Sequence, residues 1–375
     1  MEQQTEFKPL FFPNLNGLRF AGALAVMLFH CFTLHRDIWG DFYDAKWFKA
    51  IGLVLNKGHL GVALFFVLSG FLITYLLLSE NTRNGLINLG HYFMRRILRV
   101  WPLYFVVVLF GFFIFPHTPY GVETVHELWR YLVFASNIDE IILGLKDNIN
   151  FLTATWTISV EEQFYLSWGI LIALFRFRNR YLFLGFFLTV ITGTIVFRLF
   201  HLHDERTLYF HTFSVVSDLA FGGLVAWLVY YKKISNFFEK LPRWSILTAY
   251  LIGVALLLTE GKLLPGKSAA FARLIPEIVF AFIILEQVYA TRSFYKIDRI
   301  PGFFEAGKLT YGFYLFHCIY IWYWAHFFEQ HHLTSNIGYY VLYVGLVFVS
   351  TYATAWLSFR YFEQRLLSLK RFFRA

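Results

Sequence analysis

The sequence predicts an all-α, polytopic membrane protein, and three observations carry that prediction. The first is composition: of 375 residues, 58% are hydrophobic and 15% charged, with mean hydropathy +0.54. A water-soluble domain carries roughly a quarter charged residues. The second is the recurrence of apolar runs of about 20 residues, the length of helix that crosses a hydrocarbon core. The third is aromatic content, 47 Phe, 23 Tyr and 11 Trp. Tyr and Trp concentrate at membrane–water interfaces.

Ten spans are predicted, at 15–34, 59–79, 98–115, 158–175, 181–200, 212–231, 245–259, 269–290, 309–328 and 337–359. The seventh is short and the fourth carries two glutamates. The whole chain, 1–375, reads as one transmembrane domain, with no internal repeat, no cleavable leader and no appended soluble domain expected. Basic residues alternate between loops. One set holds Arg83, Arg95, Arg96 and Arg99, then Arg176, Arg178 and Arg180, then Lys232, Lys233, Lys240 and Arg243, then Arg292, Lys296, Arg299 and Lys308. The C-terminal tail adds Arg360, Arg365, Lys370, Arg371 and Arg374, whereas the long loop after the third span has only Arg130 and Lys146. By the positive-inside rule both termini are expected in the cytoplasm. The same rule absorbs the net charge of +9, so a nucleic-acid partner is not expected, whereas membrane lipids are. Within the long loop, Val125, Leu128, Trp129 and Leu132 recur at helical spacing, which predicts an interfacial helix.

Ionisable side chains inside a span are costly and usually face the bundle interior or a wet cavity. Here they are Arg19, His30, Glu161, Glu162, Asp218 and His317. Arg19 and His30 are separated by ~16 Å of helix rise and three turns, so they share one face. The duller readings are a snorkelling Arg19, a structurally bonded His30, capping glutamates, and an Asp218 that pairs with a cation or a serine hydroxyl. Ser69 in FFVLSGFLI is expected to bond its own helix backbone, with close packing at Gly70. Arg95, Arg96 and Arg99 in MRRILRVWPLYF suit topology and anionic lipid. Arg96 and Arg99 also share a helical face, and their guanidinium forks match phosphate oxygens.

The only cysteines, Cys31 and Cys318, each follow a histidine. Adjacent helical residues point about 100° apart, so a metal site is not expected and two small buried thiols are. No disulfide framework is implied.

The segments LNGLRFAGALAVMLFH, GHLGVALFFVLSGFLITYLL, RRILRVWPLYF, TWTISVEEQFYLSWGIL, SDLAFGGLVAW and LTYGFYLFH occur in this order. Together they resemble acyltransferase family 3, integral-membrane enzymes that O-acylate bacterial polysaccharides and other envelope or secreted molecules. The resemblance runs from about Leu15 to the tail and is to the stand-alone type. It implies that the arginine–ten residues–histidine motif falls on Arg19 and His30, with His30 catalytic. It places the Arg-x-x-Arg element on Arg96 and Arg99, and the glutamate motif on Glu161 and Glu162. Asn16, Phe20 and Ala63 depart from the family pattern of Asp, Gly and Asp.

The resemblance implies an O-acyltransferase of the bacterial inner membrane. Its donor would be acyl-CoA, acetyl-CoA by family default, with no permanently bound cofactor, and its acceptor a glycan or lipid-linked glycan. The donor phosphates would rest on Arg96 and Arg99 with Arg95 and Arg19. His30 would act as general base, oriented by Glu161 or Glu162. A proton-coupled carrier of a sugar or other small polar solute is the competing class; a passive scaffold leaves the buried charges unexplained. Nothing in the sequence fixes the oligomeric state.

Overall fold

The computed structural model describes residues 12–85, 87–123, 125–143, 151–175 and 180–373. Lys146, Arg176, Arg178 and Arg374 lie outside the described residues. Among those described there is no strand, and ten helices reach sixteen residues or more. They are α1 (Pro13–Thr33), α2 (Leu60–Asn84), α3 (Leu89–Leu109), α4 (Trp156–Phe175) and α5 (Arg180–Phe200). The second half has α6 (Thr212–Lys232), α7 (Arg243–Leu258), α8 (Leu274–Tyr289), α9 (Phe303–Gln330) and α10 (Ile337–Ser358). Each overlaps one predicted span. Seven helical stretches are long and apolar enough to cross a membrane by length and composition, those containing α1, α2, α3, α5, α6, α8 and α10. Of the other three, α7 is a shorter apolar helix, α4 carries the two glutamates, and α9 is rich in Tyr, Trp and His.

Local chemistry sets the helix ends. Pro13 opens α1, where its missing N–H would have had no intrahelical acceptor. At α3 the Asn88 side chain accepts from the His91 amide at 3.0 Å, a typical N-cap. Gly85 ends α2 with φ of 71°, a left-handed position suited to glycine.

The centre of the bundle is α2 against α6, and backbone contact makes it. A Cβ on Gly70 would lie 1.9 Å from the Leu219 carbonyl oxygen, and one on Gly222 would lie 2.0 Å from that of Val67. Each helix thus supplies a glycine to the other's backbone, the small-residue device of membrane helix pairs. The close packing expected at Gly70 is present. Gly22 of α1 and Gly61 of α2 are a second such pair, a Cβ on Gly61 meeting the Gly22 carbonyl at 2.6 Å. α9 covers the other side of α1, with Phe20, Ala23 and Met27 buried against Phe313, Ile321 and their neighbours. Tyr311 on α9 donates to the Val100 carbonyl of α3 at 2.7 Å.

The loop after α3 differs from expectation. Its helix covers only Leu128–Leu132, because Phe134 takes a left-handed φ of 55° that ends it. A second short helix, Ser136–Leu143, follows. Trp129 stays 58% exposed and Val125 54% exposed, so the apolar face is outward.

Gly70→Ala and Gly222→Ala should each force α2 and α6 apart, because the obstacle is backbone and cannot rotate away. We expect a loss of ~1–3 kcal/mol for such overpacking, read as a lowered unfolding midpoint in detergent. Gly185→Ala, where a Cβ meets nothing within 4 Å, should lack the effect.

Candidate active site

α1 carries Arg19 near one end and His30 near the other, and both face cavities inside the bundle. The cavity at the Arg19 end has a volume of about 100 Å³ and is lined by Arg19, Ser69, Arg96, Arg99, Glu161 and Tyr165 among others. Arg96 lies over the Tyr165 ring, 5.0 Å from its centroid. None of Arg19, Arg96 and Arg99 has a carboxylate within ion-pair distance among the described residues. The nearest acid on the cavity wall, Glu161, instead accepts from the Ser69 hydroxyl at 2.7 Å. Ser69 therefore does not bond its own helix, contrary to expectation; a charged acceptor on α4 is the stronger partner.

Arg95, expected to join these arginines, does not line the cavity. It donates to Glu80 at 2.7 Å and to the Phe373 carbonyl at 2.8 Å. A step of one residue turns a helical side chain through about 100°, which sends Arg95 towards the end of α2 while Arg96 and Arg99 face inward.

The glutamates divide in the same way. Glu161 faces the arginine cavity, Glu162 accepts from the Trp101 indole at 2.8 Å, and Gln163 donates to the Phe134 carbonyl at 2.8 Å. Neither glutamate bonds His30. The partner of His30 is His317 on α9, with Nδ1 of His30 2.8 Å from Nε2 of His317 and the two rings within 2° of coplanar. Nδ1 of His317 lies 2.6 Å from the Tyr314 carbonyl. A carbonyl only accepts, so this Nδ1 carries the proton and Nε2 of neutral His317 is an acceptor. Nδ1 of His30 must then donate, which leaves its Nε2 with a free lone pair. The tautomer follows from the network, and His317 performs the orienting task that the sequence assigned to Glu161 or Glu162.

Sequence reasoning placed His317 in mid-helix but did not pair it with His30. One signal was present: the tetrapeptide LFHC occurs twice, at 28–31 and 315–318. The repeat brings a thiol as well. Cys318 Sγ lies 3.3 Å from His317 Nε2 and 3.6 Å from His30 Nδ1, so adjacent residues do converge here, because the long imidazole reaches sideways. The three donor atoms lie within 4.8 Å of one another. A tetrahedral ion with Zn–N of ~2.0–2.1 Å holds its nitrogens ~3.3 Å apart. At 2.8 Å in coplanar rings, each nitrogen points at the other, the geometry of a shared proton. Cys31 is buried and takes no part.

His30 lines a larger cavity of about 450 Å³ with Thr33, Glu140, Thr153, Trp156, Arg206 and Tyr209. Trp156, Glu205 and Tyr209 also line a neighbouring space of about 230 Å³ that reaches His59, Arg198 and Arg273. Asp218 lies behind this wall, held bidentately by Arg273 at 2.7 and 2.7 Å. It has the structural role that pairing with a cation implies, and it does not join His30. The mixed aromatic and polar wall beside His30 suits a hydroxylated ring, whose faces stack on Trp or Tyr while its hydroxyls bond the rim.

Glu140, in the short helix outside the long ones, is buried, and Oε1 has no hydrogen-bond partner among the described residues. Burial pushes its carboxyl up from 4.5 to about 7. The folded state therefore holds this proton more tightly than the unfolded chain, and ionisation destabilises the fold as pH rises through that window. Glu140→Gln should raise the unfolding midpoint over wild type at pH 8, by the equivalent of ~1–3 kcal/mol. At a pH of about 4.5, where the carboxyl is protonated in the fold, the two proteins should unfold together.

The sequence matches the family described as "Acyltransferase domain" over residues 12–356. Among curated proteins it is similar to O-acetyltransferase OatA of Staphylococcus aureus, strains NCTC 8325 / PS 47 and COL. Each is 25% identical over 370 residues, which is 95% of this chain and 57% of the relative. The chain thus spans somewhat over half the length of the curated relatives it matches. No solved structure matches. With the family match running from the residue before α1 to within α10, across both histidines and all the cavity arginines, the chain belongs to the acyltransferase family 3 of membrane enzymes.

Proposed function

We propose that this chain is an O-acyltransferase of the bacterial inner membrane. It moves an acyl group, acetyl by family default, from cytoplasmic acyl-CoA to a hydroxyl of an envelope or exported glycan. The observation that carries the reading is the arrangement on α1. A guanidinium cluster without carboxylate partners lies at one end, and an oriented imidazole with a free Nε2 lies at the other. Both termini on the cytoplasmic side would put the cluster there and His30 in the outer half. The name of the Staphylococcus relatives, O-acetyltransferase, supports acetyl and oxygen as the group and the receiving atom.

The phosphates of the donor rest on Arg19, Arg96 and Arg99, where each guanidinium still has its N–H groups to give. The acyl thioester lies near His30. The acceptor hydroxyl enters the cavity walled by Trp156 and Tyr209, and Nε2 of His30 takes its proton as the oxygen attacks the thioester carbonyl carbon. The C–O bond forms, the C–S bond breaks, and the proton passes from the imidazolium to the departing CoA thiolate. His317 keeps Nδ1 of His30 protonated throughout, so that the lone pair faces the acceptor. Glu161, bonded to Ser69 on the arginine cavity, offsets part of the local positive charge.

The test is acyl transfer from labelled acetyl-CoA by the purified protein in vesicles. His30→Ala should lower the rate by ~10²–10⁴-fold, the usual worth of a general base, with unchanged thermal stability; full activity in a folded variant would sink the role. His317→Ala should reduce turnover, and His317→Gln, whose amide oxygen can accept from Nδ1, should recover part of it. Arg96→Ala/Arg99→Ala should weaken acetyl-CoA binding at least ~10-fold by titration calorimetry, since two charge-assisted contacts are lost. Normal affinity in that variant would remove the donor site from the scheme.

A further inference from the structure

Beside the arginines of the cavity, packed on the helix that carries two of them, lies a segment the family motifs do not include. After α10 the chain makes a wide helical turn, Phe359–Glu363, then a short helix, Gln364–Ser368, and a tighter one, Leu369–Phe373. This segment folds back onto the start of α3. Arg95 donates to the Phe373 carbonyl at 2.8 Å, and the Phe373 and His91 rings meet edge to face with centroids 5.7 Å apart. Glu363 is buried, accepting from Ser358 at 3.1 Å, and its charge is felt at Arg99.

The orientation of the basic side chains on this segment is selective. Arg360, Arg365 and Arg371 are exposed, as residues serving only topology or lipid attraction would be. Lys370 is turned inward and part-buried. There its ammonium is within electrostatic range of Arg99, Arg96, Arg95 and Arg19, and it has no hydrogen bond or ion pair among the described residues. Of these arginines, only Arg95 has a carboxylate partner. A lysine on a flexible stem at a chain end can swing into water at little cost, so holding it among unpaired like charges is unfavourable until an anion arrives. Lys370 thus adds a fourth cation beside the cavity's Arg19, Arg96 and Arg99, with Glu161 and Glu363 as the nearby acids. That excess calls for a ligand with several negative charges, which the 3′-phosphate and diphosphate of a coenzyme A thioester supply.

We propose that Lys370 is a phosphate ligand of the acyl donor and that the segment 359–373 forms the cytoplasmic wall of the donor site. The inference rests on the proposed donor site at Arg19, Arg96 and Arg99 and adds a residue that none of the motifs contains.

The experiment is steady-state acyl transfer by the full chain in neutral phosphatidylcholine vesicles, with acetyl-CoA varied. Lys370→Ala should raise KM for acetyl-CoA ~10-fold, the loss of about one charge-assisted contact, with kcat held within twofold. Lys370→Arg should bring KM back to near wild type. The gap between wild type and Lys370→Ala should close with S-acetylpantetheine, which lacks all three phosphates. An unchanged KM in Lys370→Ala, alongside a raised one in Arg96→Ala/Arg99→Ala, overturns this inference and leaves the donor site standing. Unchanged acetyl-CoA binding in both variants overturns the donor site itself. An effect of Lys370→Ala that emerges only when phosphatidylglycerol is added assigns the lysine to lipid headgroups and also overturns the proposal.

Discussion

A guanidinium inside an apolar bundle with no carboxylate beside it is the constraint around which this structure is arranged. Charge removed from water must be paired or kept near water, and the cost otherwise amounts to several kcal/mol per ion. Arg19, Arg96 and Arg99 are not paired with acids among the described residues; they share a cavity with Glu161, and Arg96 lies over the Tyr165 ring. That arrangement is stable only where solvent or a ligand reaches the cations. It accounts for several neighbouring features at once. Arg95 is excluded from the group and neutralised by Glu80. Glu161 is restrained by Ser69 rather than collapsed onto one arginine. The space between α1, α3, α4 and α9 stays open although glycines draw other helices into backbone contact.

The histidine pair obeys a different logic from a carboxylate-bound imidazole. An aspartate partner both orients a histidine and stabilises the imidazolium that forms. His317 orients only. Its Nδ1 is committed to the Tyr314 carbonyl, and its Nε2 offers a neutral lone pair. A proton taken by His30 would therefore gain no hydrogen-bonded carboxylate among the described residues. In the proposed reaction this suits a leaving thiolate that takes the proton back from the imidazolium. It also separates the two ends of α1: one faces a cluster of guanidinium groups, the other a hydrogen-bonded imidazole pair.

Much of this was legible in the sequence, for reasons of periodicity. Ten apolar runs became ten long helices because span length is imposed by the hydrocarbon thickness and needs no tertiary information. Arg19 and His30 on one face follow from helical geometry alone. So does the split of Arg95 from Arg96 and Arg99, although the shared basic character of the run groups all three. The glutamates show where periodicity stops. Depth along a helix placed Glu161 near His30, but rotation about the helix decides which neighbour a side chain meets, and three successive residues of α4 face three different partners. The pairing of His30 with His317 joins positions 287 apart in the chain. No local pattern encodes such a contact, and only the repeated LFHC hinted at it.

On the proposed function, the return of the tail to α3 bears on how donor and acceptor would be kept apart. Arg95 ties the tail carbonyl at Phe373 to the same helix that presents Arg96 and Arg99, and Glu80 ties that arginine to the end of α2. The wall proposed for the donor site is thus anchored on α2 and α3. These helices also lead through Val62 and Ser69 towards the middle of the bundle. The cavity proposed for the acceptor adds other elements: the short helix and turn before α4 and the segment before α6. Because the two cavities share only α1, α9 and α4, and on α4 Trp156 faces one cavity while the following turns face the other, the wall proposed for the acceptor can be reshaped without touching the cations proposed to hold phosphate. On the proposed division, changes around Trp156, Arg206 and Tyr209 would alter which hydroxyl is acylated, whereas Arg19, Arg96 and Arg99 would keep their hold on the donor.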